Sequence, residues 1–411
     1  MGDSPKGLDL IDLKSTPSWK AMPWKEDGPM ELRAELIREW KEGESVTALA
    51  EAYGVSRKTI YKWLGRHESE GTAGLADRSR APHNSPLKVS AEMIAHIIEA
   101  RQHWGWGPRK LLVKLAEAWP EEKIPSASTV AEVLRGKGLS QARKRRLRTP
   151  PYAQPFADVA QSNRTWCADF KGWFRTRDGT RCDPLTITDA YSRFLLCCQI
   201  AVKADTVHVE ALFDAAFREY GLPEVIHTDN GAPFASRAPG GLSRLSMRWV
   251  RLGIVAERSR PSSPQDNGRH ERMHRTLKQD TLSPPARDPK RQQEAFRVWQ
   301  KRYNEDRPHE SLGYQSPASC YARSPREFPR RVPEVEYDSG VLVRRVMKKG
   351  QLYWKGKEVF VSEIFRGQSL GLRASHDRYY EILYGPLVIG WFDTFRCVMH
   401  RKQPKPLLET S

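Results

Sequence analysis

Three acids stand where phosphoryl-transfer chemistry would use them. Asp169 lies in Trp166-Cys-Ala-Asp-Phe-Lys-Gly172, Asp229 in His227-Thr-Asp-Asn-Gly231, and Glu271 in Asn267-Gly-Arg-His-Glu-Arg-Met-His274. An acid inside an otherwise apolar strand is costly unless it is paired or holds a cation. Carboxylates converging from two strands and a helix could hold two Mg²⁺ ions, hard cations that prefer oxygen ligands. Two such ions, ~3.5–4 Å apart, activate a water or a 3′-hydroxyl and stabilise the leaving oxygen. Two of these acids also have a plainer reading. Asp229 before Asn-Gly is a turn residue, and Glu271 is a solvated helix face. His270 and His274, four apart, could start a zinc site, but no third ligand appears; packing or a DNA-facing role is the other reading.

The elements that must position these acids follow a mixed α/β pattern. Strands are predicted at 166–175, 183–188 and 193–202, then a helix at 206–220 that ends at Gly221-Leu-Pro. A strand at 224–228 runs into Asp229. A helix near 242–252, a strand at 254–257 and helices from about Pro264 and Arg291 complete the unit. Beyond Pro329, short strand runs separated by glycine turns predict a small barrel.

Upstream, the pattern is helical. Leu32, Leu36, Ile37 and Trp40 recur at helical spacing; a second helix, 46–53, stops at Gly54. Ser56 caps a third helix to about His67, with Ile60, Tyr61 and Leu64 as its apolar stripe. This is the spacing of a helix-turn-helix unit. Arg57, Lys58, Thr59 and Lys62 then point outwards, able to read a major groove. A second three-helix unit covers 91–103, 108–119 and 126–134. Pro108 suits a first helical turn, where Arg109 and Lys110 could meet phosphates. The run Arg143, Lys144, Arg145 and Arg146, continued by Arg148, is a basic linker. The expected organisation is an arm (1–28), a helix-turn-helix domain (29–68), a linker (69–88), a second helical DNA-binding domain (89–142), a basic and Pro-rich linker (143–160), an α/β core (161–325) and a β-barrel (330–405).

Composition narrows the partners. Lys and Arg total 68 against 50 Asp and Glu in 411 residues, a net charge of +18. The six cysteines form no CxxC pair and no finger spacing, which argues against a disulfide scaffold and for a reducing compartment. No run approaches the ~18 apolar residues of a membrane span, and the first residues lack an apolar signal region. These readings argue against the secreted, membrane and zinc-finger classes, a cytoplasmic protein is expected, and the charge predicts a polyanionic partner.

Five motifs in order carry a family resemblance: W-x-x-D-F-K-G at 166–172, D-A-Y-S-R at 189–193, H-T-D-N-G at 227–231, S-P-Q-D-N-G-R-H-E-R at 263–272 and Y-N-x-x-R-P-H-E-S-L at 303–312. Together they resemble the integrase-type DDE transposases of bacterial insertion sequences, whose ribonuclease-H-like core is shared with retroviral integrases. The resemblance runs from about Glu31 to about Ser324. It implies that Asp169, Asp229 and Glu271 are the catalytic and metal-binding triad for two Mg²⁺ ions, with Mn²⁺ as a substitute. It implies double-stranded DNA as partner, a homodimer or higher oligomer on DNA at the nucleoid, and an SH3-like C-terminal barrel. Arg275 and Lys278 follow Glu271 at i+4 and i+7 on one helical face; they are either solvated partners of acids or contacts to phosphates beside the scissile bond. Asp189 falls outside the triad and is expected to pair with Arg193. Forty-one residues separate Asp229 from Glu271, more than is usual in the family, and the surplus is expected in the loop-forming stretch 236–244. Glu257 is a rival third acid, but it ends a strand and lacks the N-G-x-x-E setting. A transposase-derived DNA-binding regulator and a nuclease without strand transfer are the alternatives.

Replacing Arg57 and Lys62 together by Ala should weaken binding to terminal-repeat DNA by at least ~10-fold at physiological salt, as read by fluorescence anisotropy. Unchanged affinity would remove the recognition-helix reading.

Overall fold

The computed structural model describes residues 28–79, 89–140, 156, 159–201, 205–260, 268–376 and 378–404. The basic run with Arg143, Lys144, Arg145 and Arg146 lies outside the described residues, as do positions 263–267 of the fourth motif. Two units are distinguished, Met1–Lys88 and Val89–Ser411.

In the first unit, α1 (Pro29–Lys41), α2 (Val46–Ala52) and α3 (Arg57–Glu70) are followed by a 3₁₀ turn, Gly71–Leu75. Ser45 and Ser56 cap α2 and α3 by accepting from the Ala48 and Thr59 amides, each at 3.2 Å, which satisfies donors that a helix start leaves open. Leu36, Ile37, Leu49, Ile60, Trp63 and Leu75 form the core. Arg33 is almost buried; it donates to the Leu75 carbonyl at 2.6 Å and lies over the Trp63 ring. One expectation is corrected here. Trp63, three residues after Ile60, supplies the buried stripe, whereas Tyr61 is 63% exposed. A step of one residue turns ~100° around a helix and a step of three returns near the starting face. Tyr61 therefore joins Arg57, Lys58 and Lys62 on the outer face.

The second unit begins with α4 (Ala91–Trp104), α5 (Pro108–Ala118) and α6 (Ala127–Gly136). Ser90 and Ser126 cap α4 and α6, and Gly105 takes the left-handed conformation (φ 68°) that ends α4. Met93, Ile97, Leu111, Leu115, Val130 and Leu134 are its core, with Trp106 buried and stacked on Trp104.

A mixed sheet follows: β1 (Thr165–Phe170), β2 (Phe174–Arg175), β3 (Arg181–Asp189), β4 (Leu195–Ala201), β5 (Val225–Thr228) and β6 (Val255–Arg258). The main order is β4-β3-β1-β5-β6, with β2 hairpinned onto the start of β3. The pairs β4–β3 and β3–β1 are antiparallel; β1–β5 and β5–β6 are parallel. On one face, α7 (Thr206–Tyr220) and α8 (Arg244–Arg251) enclose Trp166, Leu185, Ile187, Phe213, Phe217 and Trp249. On the other, α9 (Gly268–Thr281) and α10 (Pro289–Glu305) enclose Leu195, Cys198, Met273, Leu277, Phe296 and Trp299. A short α11 (Pro317–Cys320) ends this ribonuclease-H-like core.

Asp189 closes the turn after β3, but not through Arg193. Its Oδ1 accepts from the Ser192 amide (2.7 Å) and hydroxyl (2.6 Å), and its Oδ2 from the Asn163 amide (2.8 Å). Arg193 instead donates to the Ala190 carbonyl at 2.9 Å. A fully buried carboxylate needs several short donors to offset lost solvation, and neighbouring amides supply them more readily than a long guanidinium.

The C-terminal part is all β. β7 (Leu342–Arg345), β10 (Ser369–Ala374), β11 (Tyr379–Tyr384), β12 (Leu387–Asp393) and β13 (Val398–His400) form an antiparallel sheet in the order β13-β12-β11-β10-β7. A hairpin, β8 (Gln351–Trp354) and β9 (Lys357–Phe360), adds Leu352, Trp354 and Val359 to the same core. That core also contains Leu242, Met247 and Val250, so α8 is buried on both sides: Leu245 and Trp249 face the mixed sheet, Met247 and Val250 the C-terminal one. The stretch 236–244 has a structural purpose in this arrangement. Its 3₁₀ turn, Pro239–Gly241, packs against β12, and a Cβ on Gly240 would lie 3.0 Å from the Ile389 side chain. Arg258 donates to the Gly240 carbonyl and Arg401 to that of Arg237, each at 3.1 Å.

Because α8 belongs to both cores, Trp249→Ala should cost about 3–5 kcal/mol and lower the mixed sheet and the C-terminal sheet together. Urea denaturation followed by tryptophan fluorescence and by far-UV circular dichroism should give coincident curves in the wild type; separated transitions would contradict the shared core.

Candidate active site

β1 and β5 run side by side in parallel, with Cys167 opposite His227. Two residues further on, each strand reaches its acid, so Asp169 and Asp229 emerge at neighbouring carboxyl ends, about one strand spacing (~4.8 Å) apart. Alternation puts Cys167 and Asp169 on one face of the sheet, and Thr186, the cross-strand partner of Asp169, shares it. The Thr186 hydroxyl donates to the Asp169 carbonyl at 3.0 Å. It also lies 2.8 Å from His274 Nε2 and 3.1 Å from His270 Nε2. A hydroxyl has one proton; with that proton on Asp169, both imidazoles must donate to it, which fixes both as Nε2–H tautomers. His270 and His274 flank Glu271 on α9, so the helix carrying the third acid is held over the strand carrying the first.

Both imidazoles are neutral. Burial, reinforced by His227, pushes His270 down to about 4; burial, then His270 and Lys171, pushes His274 down to about 2. The zinc alternative gains no support from this geometry, because among the described residues no group of three ligand atoms converges around His270 and His274. The acids alone remain, an all-oxygen donor set that fits a hard divalent cation.

The H-T-D-N-G motif is explained atom by atom. Asp229 is exposed and accepts from the Gly231 amide at 3.1 Å. A Cβ on Gly231 would lie 3.1 Å from the Asp229 carboxylate, so glycine leaves that carboxylate its room. Asn230 donates to the Ser259 carbonyl at 2.8 Å and His227 Nε2 lies 3.0 Å from the Ser259 hydroxyl, which together tie the loop to the end of β6. Glu257, the rival acid, stands opposite His227 with its carboxylate 3.5 Å from Nδ1.

Asp169, Asp229 and Glu271 thus come from adjacent elements, but their oxygens are not all within 4.8 Å of one another. Among the described residues the group of three that meets this distance is Glu92, His96 and Glu122, in the second helical domain. A two-ion centre spreads its carboxylates around ions ~3.5–4 Å apart, so this looser set is compatible with one.

The basic residues divide. Lys171, just beyond Asp169, is held below the usual lysine range by burial and then by Lys278, so Lys278 approaches the acid-bearing end of β1. Arg275 turns to a neighbouring cavity, which it lines with Arg272. Arg57, Lys58 and Lys62 are exposed on α3, whereas Thr59 is half-buried and bonds Ser56. Arg109, read from sequence as a phosphate contact, pairs with Glu310 at 2.9 Å. Lys110 is half-buried and lowered to about 8, by burial and then by Arg307. Asn304 of the fifth motif clamps both backbone groups of Leu195 on β4 (2.8 and 3.0 Å), and Arg302, just before that motif, donates to the His103 carbonyl at 2.7 Å. Sequence reasoning missed Lys171, Arg193, Arg272 and Arg307 as site residues, although all four lie inside quoted motifs.

This fold and site define an integrase-type core accompanied by helix-turn-helix domains. Residues 159–264 and 252–317 each match the integrase core domain family, residues 32–83 a helix-turn-helix domain and residues 59–134 a homeodomain-like domain. The chain is similar to the transposases of bacterial insertion sequences. It is 27% identical over 318 residues to the transposase InsD of insertion element IS2A/D/F/H/I/K of Escherichia coli, covering 73% of this chain and 94% of the relative. It is 25% identical over 297 residues to a protein of insertion element IS476 of Xanthomonas euvesicatoria, covering 69% and 80%. Among solved structures, the magnesium complex of the HTLV-2 integrase catalytic core domain aligns at 16% identity and a TM-score of 0.32, over 40% of this chain and 99% of that one. Among the described residues, no helix is long and apolar enough to cross a membrane.

Thr186→Val should leave two buried imidazole donors without their acceptor, at about 1–3 kcal/mol each, and should loosen α9. Thermal denaturation should show the loss and Thr186→Ser should restore most of it; a Val variant as stable as the wild type would show that the hydroxyl does not anchor the helix.

Proposed function

We propose that the protein is a DNA transposase that binds the terminal inverted repeats of an insertion sequence, cleaves the 3′ ends and joins them to target DNA. The observation that carries this reading is the placement of Asp169 and Asp229 at adjacent parallel strand ends, with α9 and its Glu271 fastened over the same face. Its relatives' description as insertion-sequence transposases supports it.

In this reading Asp169, Asp229 and Glu271 hold two Mg²⁺ ions, which Mn²⁺ can replace; the ions supply an activated water or 3′-hydroxyl and relieve charge at the leaving oxygen. Gly231 keeps the Asp229 carboxylate unobstructed, and Thr186 with the two neutral histidines holds Glu271 in place. Lys278 and Arg275 meet phosphates beside the scissile bond, while Arg57, Lys58 and Lys62 on α3 read the terminal repeat. No Ser or Tyr nucleophile is required, since the hydroxyl that attacks belongs to water or DNA. Joining two ends calls for at least two protomers on the DNA, and the cytoplasm, at the nucleoid, is the place of action. The C-terminal strands, read as an SH3-like barrel, contact DNA or a neighbouring protomer. A binding-only regulator is disfavoured because it would not need a carboxylate kept clear by glycine.

Protein, Mg²⁺, labelled element-end DNA and a plasmid target, run beside Asp229→Asn, test this. Joined products that vanish in the variant, with end binding retained, are expected. Cleavage without joining would indicate the nuclease, and binding with neither reaction the regulator.

A further inference from the structure

A cavity of about 590 Å³ opens beside α9, between the core and the second helical domain. Lys110 reaches it from the first turn of α5, Arg193 from the turn after β3, Arg272 and Arg275 from α9, and Arg307 with His309 from the fifth motif. Two acids lie close. Glu310 is paired with Arg109, and Asp280 stands 3.9 Å from Arg307. Five cations therefore share one concave space with little opposite charge.

Arg272 and Arg275 are exposed at its mouth, and the other three cations are drawn partly out of solvent. Lys110, Arg193 and Arg307 are each partly buried, and Arg193 is held at φ +65°, a backbone conformation that side-chain-bearing residues rarely adopt. Nε2 of His309 is buried without a hydrogen-bond partner. Burial first, then Lys110, Arg307 and Arg193, pushes this imidazole down to about 3, so it stays neutral and adds no sixth charge. Like charges gathered in a half-buried space repel one another more than they would in water. The arrangement is costly in isolation and favourable once a dense anion is present. Guanidinium forks match phosphate oxygens in particular.

We propose that this cavity is a phosphate-binding site, separate from the carboxylate centre, in which one anion is gripped by Lys110 of the second helical domain and by Arg272, Arg275 and Arg307 of the core. The anion thereby fastens that domain to the core. Its source is a backbone phosphate of the DNA strand running past Glu271, a point that rests on the proposed function, or a free polyphosphate.

Two arms on the full chain, both in EDTA so that no strand is cut, separate these. In the first, inorganic tripolyphosphate is titrated by calorimetry and by thermal shift into the wild type, into Lys110→Ala/Arg272→Ala, and into Arg297→Ala/Lys301→Ala, which removes two exposed cations elsewhere. A rise in Tm of several degrees is expected in the wild type and the last variant, and none in the first. In the second, element-end DNA carrying one uncharged methylphosphonate at a time is scanned by anisotropy. One position should cost the wild type about 10-fold or more in affinity and cost Lys110→Ala/Arg272→Ala nothing further. A coupled DNA position, with or without tripolyphosphate binding, supports the site with DNA as its source. Tripolyphosphate binding alone supports it with a free polyphosphate, and holds even if the chain binds no DNA ends. No coupled position together with no tripolyphosphate binding, or with binding undiminished in Lys110→Ala/Arg272→Ala, overturns it.

Discussion

The Thr186 hydroxyl has one proton and two lone pairs, and all are in use: the proton goes to the Asp169 carbonyl, and the lone pairs receive His270 and His274. Around this atom the sheet and α9 meet. The sheet places Asp169 beside Asp229 through its parallel pair of strands, but Glu271 belongs to another element, and nothing in strand geometry brings a helix to a strand end at a fixed height. Two histidines one turn apart, with the acid next to the first of them, set both the height and the rotation of α9. The apolar contacts of Met273 and Leu277 with Phe296 and Trp299 hold the helix against the sheet; the imidazoles decide where along the sheet it stops. Neutrality is part of the device, since a charged imidazole in that buried space would be strongly disfavoured.

The acids were legible in the sequence because each is embedded in short local text whose neighbours do local work. Asn230 and Gly231 serve Asp229 from one and two residues away, and the Ser192 hydrogen bonds that close the D-A-Y-S-R turn span three residues. Relations of longer range were not legible. Arg109 and Glu310 are 201 residues apart, and nothing around either marks the other as its partner. The exchange of Tyr61 for Trp63 was an error of helical phase: both are aromatic, both fall near a plausible stripe, and packing against Leu75 and Arg33 decides between them. The pair His270 and His274 showed in sequence that two rings share a face, but not that a threonine 84 residues upstream would occupy both.

Positive charge is distributed according to how much of it is already answered. On α3 the cations are exposed, and solvent screens them. Arg109 is answered by Glu310, Arg248 by Asp214 and Glu210, and Arg378 by Asp393, and these pairs hold elements together. Around Lys110, Arg193 and Arg307 the cations are partly withdrawn from water and outnumber the nearby acids, of which Asp280 lies 3.9 Å from Arg307. A surplus of +18 spread evenly would only raise non-specific attraction to polyanions. Concentrated in partly buried positions beside the acid-bearing helix, it gives that attraction a location.

The long spacing between Asp229 and Glu271 has a mechanical consequence. In a core of this order the chain leaves β5, crosses one face as α8, forms β6 and returns on the opposite face as α9, so residues added before α8 need not move either acid. They carry the turn Pro239–Gly241 out to β12, and α8 acquires a second buried face in Met247 and Val250. A helix with one apolar face can shift on its sheet; one with apolar contacts on both sides is fixed between two cores, because sliding would open cavities in each. Arg258, at the end of β6, donates to the Gly240 carbonyl, and the next residue, Ser259, receives Asn230 and meets His227. The segment 236–244 therefore joins the C-terminal sheet to the strand end that steadies Asp229. Through Arg258 and Ser259 it braces the strand end beside which Asp229 stands.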